Sequence, residues 1–468
     1  MMSTPSIHLL LAATLSIGSV AHAQLAQSTQ NQIAQAVEAA LQKSGVPSAS
    51  VGVVYDDHIV YTHAFGLASI HPPVPAEASM AYPIGSISKQ FTATAVLLLQ
   101  QQRKLQLDDP VGKYFPELTE ANAVTIRNLL THTSGYQDYA PQDYTIPLWE
   151  KPIDPMKLMR EAAGKPLDFQ PGTKWQYSNT NFVIAAMIVQ KVSGEPFAQF
   201  LREHVLEPAG LKDVLDLSTD RSQLRVRGYM RNALAPVRPA ALEAPGWYFG
   251  DADLAMPVAS LLRWDLTVAQ RTLLSQESYN EMETPFILKD GQNTHYGLGL
   301  FIESHDGYPM LEHDGEVGGF VAENLVIPDQ HVAIDVLTNQ EASSAASEIA
   351  QAILPIVLSA NKPVVADADV FGPKLKQILS GLQQGRIDRS LFTADCNAYF
   401  DADALSDFQS SLAPLGAIDS VTQTRTDLRG GMRFALYRVT FTNGTAILVS
   451  IYLEPDGKIE QLLVVGKG

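Results

Sequence analysis

The placement of strand patterns constrains this fold most: they open and close the first 360 residues, and helices fill the stretch between. Val51, Val53, Val54 and then Ile59, Val60, Tyr61 read as two strands around the turn residues Asp56-Asp57. Strand patterns return at Tyr296–Ile302, Asn324–Ile327 and Val332–Leu337, with Pro328-Asp329 turning between the last two. In between lie an apolar helix over Ile87–Gln102, a Pro-rich middle from Asp108 to about Leu274, and a helix over Phe182–Val192 closed by Gly194. A further helix carrying Ile33, Val37, Ala40 and Leu41 precedes the strands, and one over Ala345–Leu358 follows them. Distant strands must then meet in one antiparallel sheet flanked by helices, beside a helical subdomain. That is an α+β fold, with the crevice between the two parts as the expected site.

Asn361-Lys362-Pro363 to Asp369 reads as a linker, and residues 370–468 as a separate small α+β domain. Leu375, Ile378, Leu379 and Leu382 make one helix face there, and Leu405, Phe408 and Leu412 another. Strands follow at Arg433–Thr442, Ala446–Leu453 and Ile459–Val465. No nucleophile, base or metal cluster marks this domain, so a structural or interaction role is expected. Ahead of everything, the apolar run Leu9–Val20 and the small-residue site Ala21-His22-Ala23 read as a removable export signal over residues 1–23, although no Lys or Arg precedes the run. The main domain then spans residues 24–360. Export to the periplasm or medium is expected, with no membrane insertion once the signal is removed.

The net charge of -17 argues against a nucleic-acid partner, because an acidic surface repels phosphate. The single cysteine, Cys396, cannot form an internal disulfide and reads as a small buried apolar residue. A small-molecule or peptide substrate is the expected partner. The oligomeric state is not encoded in any pattern here.

Ser86 and Lys89 stand in Gly85-Ser86-Ile87-Ser88-Lys89-Gln90-Phe91. Residues i and i+3 share a helix face, so a hydroxyl and an amine sit side by side at a helix start. A serine hydroxyl becomes nucleophilic when a base takes its proton, and a lysine with a lowered pKa can do so. Alone, the motif is too short to decide and more often describes a helix cap with a solvated lysine. Three segments accompany it: Tyr177-Ser178-Asn179 just before a helix, Leu129-Leu130-Thr131-His132-Thr133-Ser134-Gly135, and His313-Asp314-Gly315-Glu316 ahead of the last strands.

With S-x-x-K, Y-x-N and H-x-G in that order, the chain resembles the penicillin-recognising serine hydrolases, in the branch of class C β-lactamases, DD-carboxypeptidases and β-lactamase-like esterases. The run Leu107–Pro116 and L-L-T-H-T-S-G share the likeness, which covers about Gln32 to Leu358. It implies a β-lactamase/transpeptidase-like fold and an acyl-enzyme on Ser86, with no metal or organic cofactor. Lys89 and Tyr177 would share the proton transfer. Asn179 would hold the lysine amine and the substrate's amide or carbonyl. The backbone N–H groups of Ser86 and Glu316 would form the oxyanion hole. His132 would be a structural loop histidine. The likeness stops before the C-terminal domain, which resembles the cone-shaped nuclear-transport-factor-2-like fold instead.

The third motif departs from the Lys-Thr-Gly of β-lactamases. His313 replaces the lysine, and Asp314 replaces the threonine that would meet a substrate carboxylate. Asp314 and Glu316 should repel such a carboxylate and favour the charged form of His313. Esters or amides lacking that carboxylate, or bearing a positive charge, are the expected substrates. The alternatives are a DD-carboxypeptidase or class C-like β-lactamase, or a catalytically silent protein that binds peptidoglycan. Trp247, Tyr248 and Phe249 either line the pocket or pack locally.

Overall fold

The computed structural model describes residues 25–142, 144–233, 235–305, 307–361, 371–429 and 432–467. The expected export signal, and the expected linker beyond Asn361, lie outside them. The chain divides into two compact units between Asn361 and Lys362.

In the first unit, helix α1 (Gln27–Ser44) ends at Gly45, whose φ of 71° caps it in the left-handed region. Strands β1 (Ser48–Tyr55) and β2 (His58–Ser69) follow, joined through Asp56 and Asp57, both at positive φ as a tight hairpin requires. Helix α2 (Ser88–Gln101) opens the helical part, whose centre is α3 (Asn179–Ser193), buried on nearly every side. Helix α4 (Val258–Ala269) leads back to the sheet. Strands β3 (Phe301–His305), β4 (Tyr308–Val317), β5 (Phe320–Ile327) and β6 (Val332–Thr338) then run as a meander, closed by α5 (Ala345–Asn361).

The sheet order is β2-β1-β6-β5-β4-β3, with the short strand Val74–Pro75 on the β2 edge. First and last strands therefore pair at its centre, with Val51 opposite Val336 and Val53 opposite Ile334. One face packs under α1 and α5 through Ile33, Val37, Ile349 and Ile353. The other packs on α4 and α2. Gly52 permits this contact, since a Cβ there would lie 2.5 Å from Leu262 Cδ1. Each fully buried aliphatic side chain in these layers stabilises the fold by roughly 1.5–3 kcal/mol.

One expectation needs correction, and one strand was not foreseen. The segment from Tyr296 to Leu300 is not a strand: Gly299, at φ 82°, brings its backbone against Lys89 C=O of α2, and Leu298 and Leu300 enter the core. His313-Asp314-Gly315-Glu316 precedes the last two strands as expected, but it lies inside a further strand, β4, where two acids and a glycine hide the alternation.

The second unit is a four-stranded antiparallel meander, β7 (Ile418–Arg429), β8 (Met432–Phe441), β9 (Ala446–Leu453) and β10 (Ile459–Lys467). Its helices are α6 (Gly372–Leu382), α7 (Ala394–Tyr399) and α8 (Ala402–Leu412). The sequence reading missed β7, too polar to show one apolar face, and the short α7. Cys396 is buried in this unit's core.

Candidate active site

Ser86 sits in a single 3₁₀ turn, Gly85–Ile87, that runs directly into α2. Two glycines let strand β4 touch this turn. A Cβ on Gly85, at φ 52°, would lie 2.5 Å from Glu316 N, and one on Gly315 would lie 2.0 Å from Ile84 O. The close approach brings the backbone of Glu316 beside Ser86.

Lys89 is fully buried one turn on, and its three donors meet three acceptors: Ser86 Oγ at 2.8 Å, Asn179 Oδ1 at 2.8 Å and the carbonyl of Asp251 at 3.1 Å. Burial lowers its pKa to about 8, against the pull of Asp251, Asp138, Asp314 and Asp253. Its Nζ lies 4.9 Å from the centre of the Tyr177 ring. The Tyr177 hydroxyl is hydrogen-bonded to Ser86; burial still holds its pKa well above 10.

The loop histidine positions this second segment. His132 Nδ1 accepts the Ser178 N–H at 3.2 Å, its carbonyl accepts the Gln176 N–H at 3.0 Å, and its ring packs against Tyr177 at a tilt of 36° with centroids 4.2 Å apart. Burial pushes its pKa well down, so the ring is neutral with its proton on Nε2. Asn179 begins α3 and is oriented by Asp138, whose Oδ1 accepts its backbone N–H at 3.0 Å. Its Nδ2 donates to Asp138 Oδ2 and to the carbonyl of Ala140. The amide oxygen is thereby left for Lys89, while the expected contact of this amide with substrate would compete with these bonds.

His313 differs from expectation. Its ring is 1% exposed and packs behind Tyr177, against Tyr296 and Phe301. Nδ1 donates to the carbonyl of Asp314, so Nε2 accepts the Tyr296 hydroxyl at 2.9 Å. Asp314 does favour the cation, but burial outweighs it and lowers the pKa to about 4. The ring is neutral at neutral pH: the expected pull of Asp314 toward the cation is there, and burial overrides it. Of the H-D-G-E string, Asp314 and Glu316 line the cavity; His313 and Gly315 serve packing.

That cavity has a volume of about 560 Å³. Ser86, Tyr177 and Asn179 line it, as do the acidic residues Asp138, Glu243, Asp251, Asp314, Glu316 and Glu341, with no Lys or Arg among the described lining residues. Trp247 and Tyr248 form part of its wall, whereas Phe249 packs on Phe197. Asp251 is buried and pushed up to about 7, with Oδ2 accepting the Tyr139 hydroxyl at 2.8 Å. Sequence reasoning missed Asp138, Asp251 and Glu243, for isolated acids in a loop-rich stretch carry no spacing signal.

The described helices include none long and apolar enough to cross a membrane. The family model for Beta-lactamase matches residues 33–357. Penicillin-binding protein 4* of Bacillus subtilis is 29% identical over 315 residues, covering 63% of this chain and 68% of that protein. A D-aminopeptidase of Gluconobacter oxydans is 26% identical over 339 residues, covering 71% of this chain and 63% of that one. The chain thus spans about two thirds of the length of these relatives. Among solved structures, an octameric penicillin-binding protein homologue from Pyrococcus abyssi superposes with a TM-score of 0.63 at 21% identity, over 94% of this chain and 99% of that one. The D-amino acid amidase of Ochrobactrum anthropi SV3 gives 0.62 at 22% identity, over 72% and 99%. At such identities these two likenesses speak for the fold, and the family model speaks for descent: this chain belongs to the beta-lactamase family of serine hydrolases.

Proposed function

We propose that this protein cleaves an ester or amide through an acyl-enzyme on Ser86, and that it takes acyl groups carrying a positive charge. One observation carries the substrate class: Ser86 opens into a cavity whose lining includes the acidic residues Asp138, Asp251, Asp314 and Glu316, without a described lysine or arginine among the lining residues to receive a substrate carboxylate. Trp149, Trp175 and Trp247 add apolar faces that suit a cation as well. Relatives named D-aminopeptidase support an acyl group that keeps its amine.

The proton path follows from the two pKa directions. Lys89, near 8, sheds its proton long before Tyr177, which burial holds well above 10. The neutral amine can turn its lone pair to Ser86 Oγ while two N–H bonds stay on Asn179 and the Asp251 carbonyl. Ser86 then attacks the acyl carbon and its proton passes to Lys89. The Tyr177 hydroxyl protonates the leaving group and regains a proton from Lys89. The N–H groups of Ser86 and Glu316 receive the oxyanion, each such donor contributing about 10²–10³-fold in rate. Water repeats the sequence and releases the acid.

The test compares D-phenylalanine p-nitroanilide with its N-acetyl form, a p-nitrophenyl ester, a cephalosporin reporter and a D-Ala-D-Ala peptide. The free-amine substrate should exceed the acetylated one by about 10-fold or more, with the cephalosporin last. Equal rates with and without the amine, or a cephalosporin faster than the ester, would overturn the substrate class. The penicillin-binding relatives favour a second reading, a DD-carboxypeptidase, in which the D-Ala-D-Ala peptide leads. The run Leu9–Val20 supports export; the mature protein should begin at Gln24 on N-terminal sequencing.

A further inference from the structure

The tip of the β4–β5 hairpin is gripped by side chains from elsewhere. Gly318 N–H donates to Glu243 Oε2 at 3.2 Å, and Gly319 N–H donates to Glu341 Oε2 at 2.6 Å. Glu243 comes from the loop before α4, and Glu341 from the segment after β6. The hairpin returns one bond, since Glu316 Oε1 accepts the Ala342 N–H at 2.6 Å. Glu243 is itself held by the Thr145 hydroxyl at 3.0 Å. The space is closed around the turn: a Cβ on Gly318 would lie 2.2 Å from Ala241 O, and one on Gly319 2.6 Å from Gly228 Cα. Both glutamates are 6% exposed, and burial raises both pKa values above the ordinary carboxylate range while the glycine N–H bonds pull them down. Two buried carboxylates on two successive backbone N–H groups are more than a turn needs to form. The other end of this short stretch, Gly315-Glu316, is the part that touches the Ser86 turn.

We propose that Glu243 and Glu341 are positioning residues that hold the β4–β5 turn and so set the distance from the Glu316 N–H to Ser86. The catalytic consequence rests on the acyl-enzyme reading above; the mechanical clamp does not. What the clamp uses is an acceptor oxygen. A cation-binding pair would instead use charge, and glutamine separates the two because it keeps the oxygen and loses the charge.

The experiment takes Glu243→Ala, Glu341→Ala, Glu243→Gln and Glu341→Gln in the full chain. An uncharged fluorophosphonate reports Ser86 reactivity, a cationic ester reports kcat and KM, and mass-spectrometric amide exchange reports the peptide 314–322. Each alanine variant should lower the phosphonylation rate and kcat by about 10–10²-fold, with KM within about threefold, and should speed exchange at the hairpin. Each glutamine variant should recover most of the rate and the protection. Alanine variants with wild-type rate and exchange would overturn the clamp. So would glutamine variants that fail like alanine through KM for the cationic ester alone, which would make the pair a cation site. Should an alanine variant not fold, the glutamine variants decide alone: retained rate and protection support the clamp, and their loss refutes it. Failure of the acyl-enzyme reading shows separately, as a wild-type protein that no serine-directed probe labels. The exchange measurement then still judges the clamp.

Discussion

Lys89 and Gln90 are neighbours on α2, and each enters a buried polar network. On the Lys89 side a cation meets three oxygen acceptors, with Asp138 and Asp251 close by and a cavity in front. On the Gln90 side, Gln90 donates to Asn324 at 2.8 Å and accepts from Trp264 Nε1 at 2.8 Å. Asn324 Nδ2 in turn donates to Asp265 at 2.5 Å and to Asp335 at 3.2 Å. The two aspartates are buried on the same amide, and Asp265 Oδ2 and Asp335 Oδ2 meet no donor among the described residues, so we expect one proton to be held between them. Burial raises Asp265 to about 7 and Asp335 well above the usual carboxylate range. Equal burial thus has two outcomes. With a cation and an open cavity it tunes a base for chemistry; with acids alone it raises the carboxyl pKa values, while the amides tie α2 and α4 to β5 and β6.

The comparison breaks first at Ser86. Ser86→Ala should cost at least about 10³-fold in kcat and abolish the fluorophosphonate adduct by intact mass, with the melting temperature near wild type. Tyr177→Phe keeps the ring against His132 but removes the hydroxyl beside Ser86, and should cost about 10²–10⁴-fold in kcat. A rate loss below threefold there would remove Tyr177 from the proton path. If Lys89 is the base, kcat/KM should rise with pH and level off above about 8, because the amine acts only when unprotonated. A profile flat from pH 6 to 9 would contradict that assignment.

The Gln90 network should answer in stability. Carboxyls whose folded pKa is raised add stability in full below their unfolded value near 4, and lose it as pH climbs through the folded value, about 7 for Asp265. Wild type should therefore melt lower at pH 9 than at pH 6. Asp335→Asn supplies an N–H in place of the shared proton and should recover about 1–3 kcal/mol at pH 9. Melts at both pH values check this, and an unchanged gap between them would refute the shared proton. The smallest effect belongs to Asp314, whose side chain is 70% exposed on the cavity rim. Asp314→Asn should raise KM for a cationic substrate by about two- to fivefold, less at high salt.

Much of the site is legible in local spacing. Ser86 and Lys89 meet because a helix repeats every 3.6 residues, and Tyr177-Ser178-Asn179 stands where a helix starts. That β1 and β6 belong to one sheet is readable too, because mostly apolar runs such as Val51–Val54 and Val332–Leu337, the latter broken only by Asp335, need cover on both faces; their pairing side by side was not. Strand β4 was not readable, since Asp314, Gly315 and Glu316 interrupt its alternation; the ladder to β5 and the close approach to Gly85 make it a strand.

What the amino-acid order determined alone is which side chains share a turn, a cap or a sheet face, because helix and strand periods are properties of neighbouring residues. The tertiary structure decided their charge. Lys89 is poised near 8, His313 is neutral despite the adjacent Asp314, and burial pushes Asp265 and Asp335 up. Desolvation and Coulomb interaction sum over every group that packs nearby, and those groups come from segments up to hundreds of residues apart.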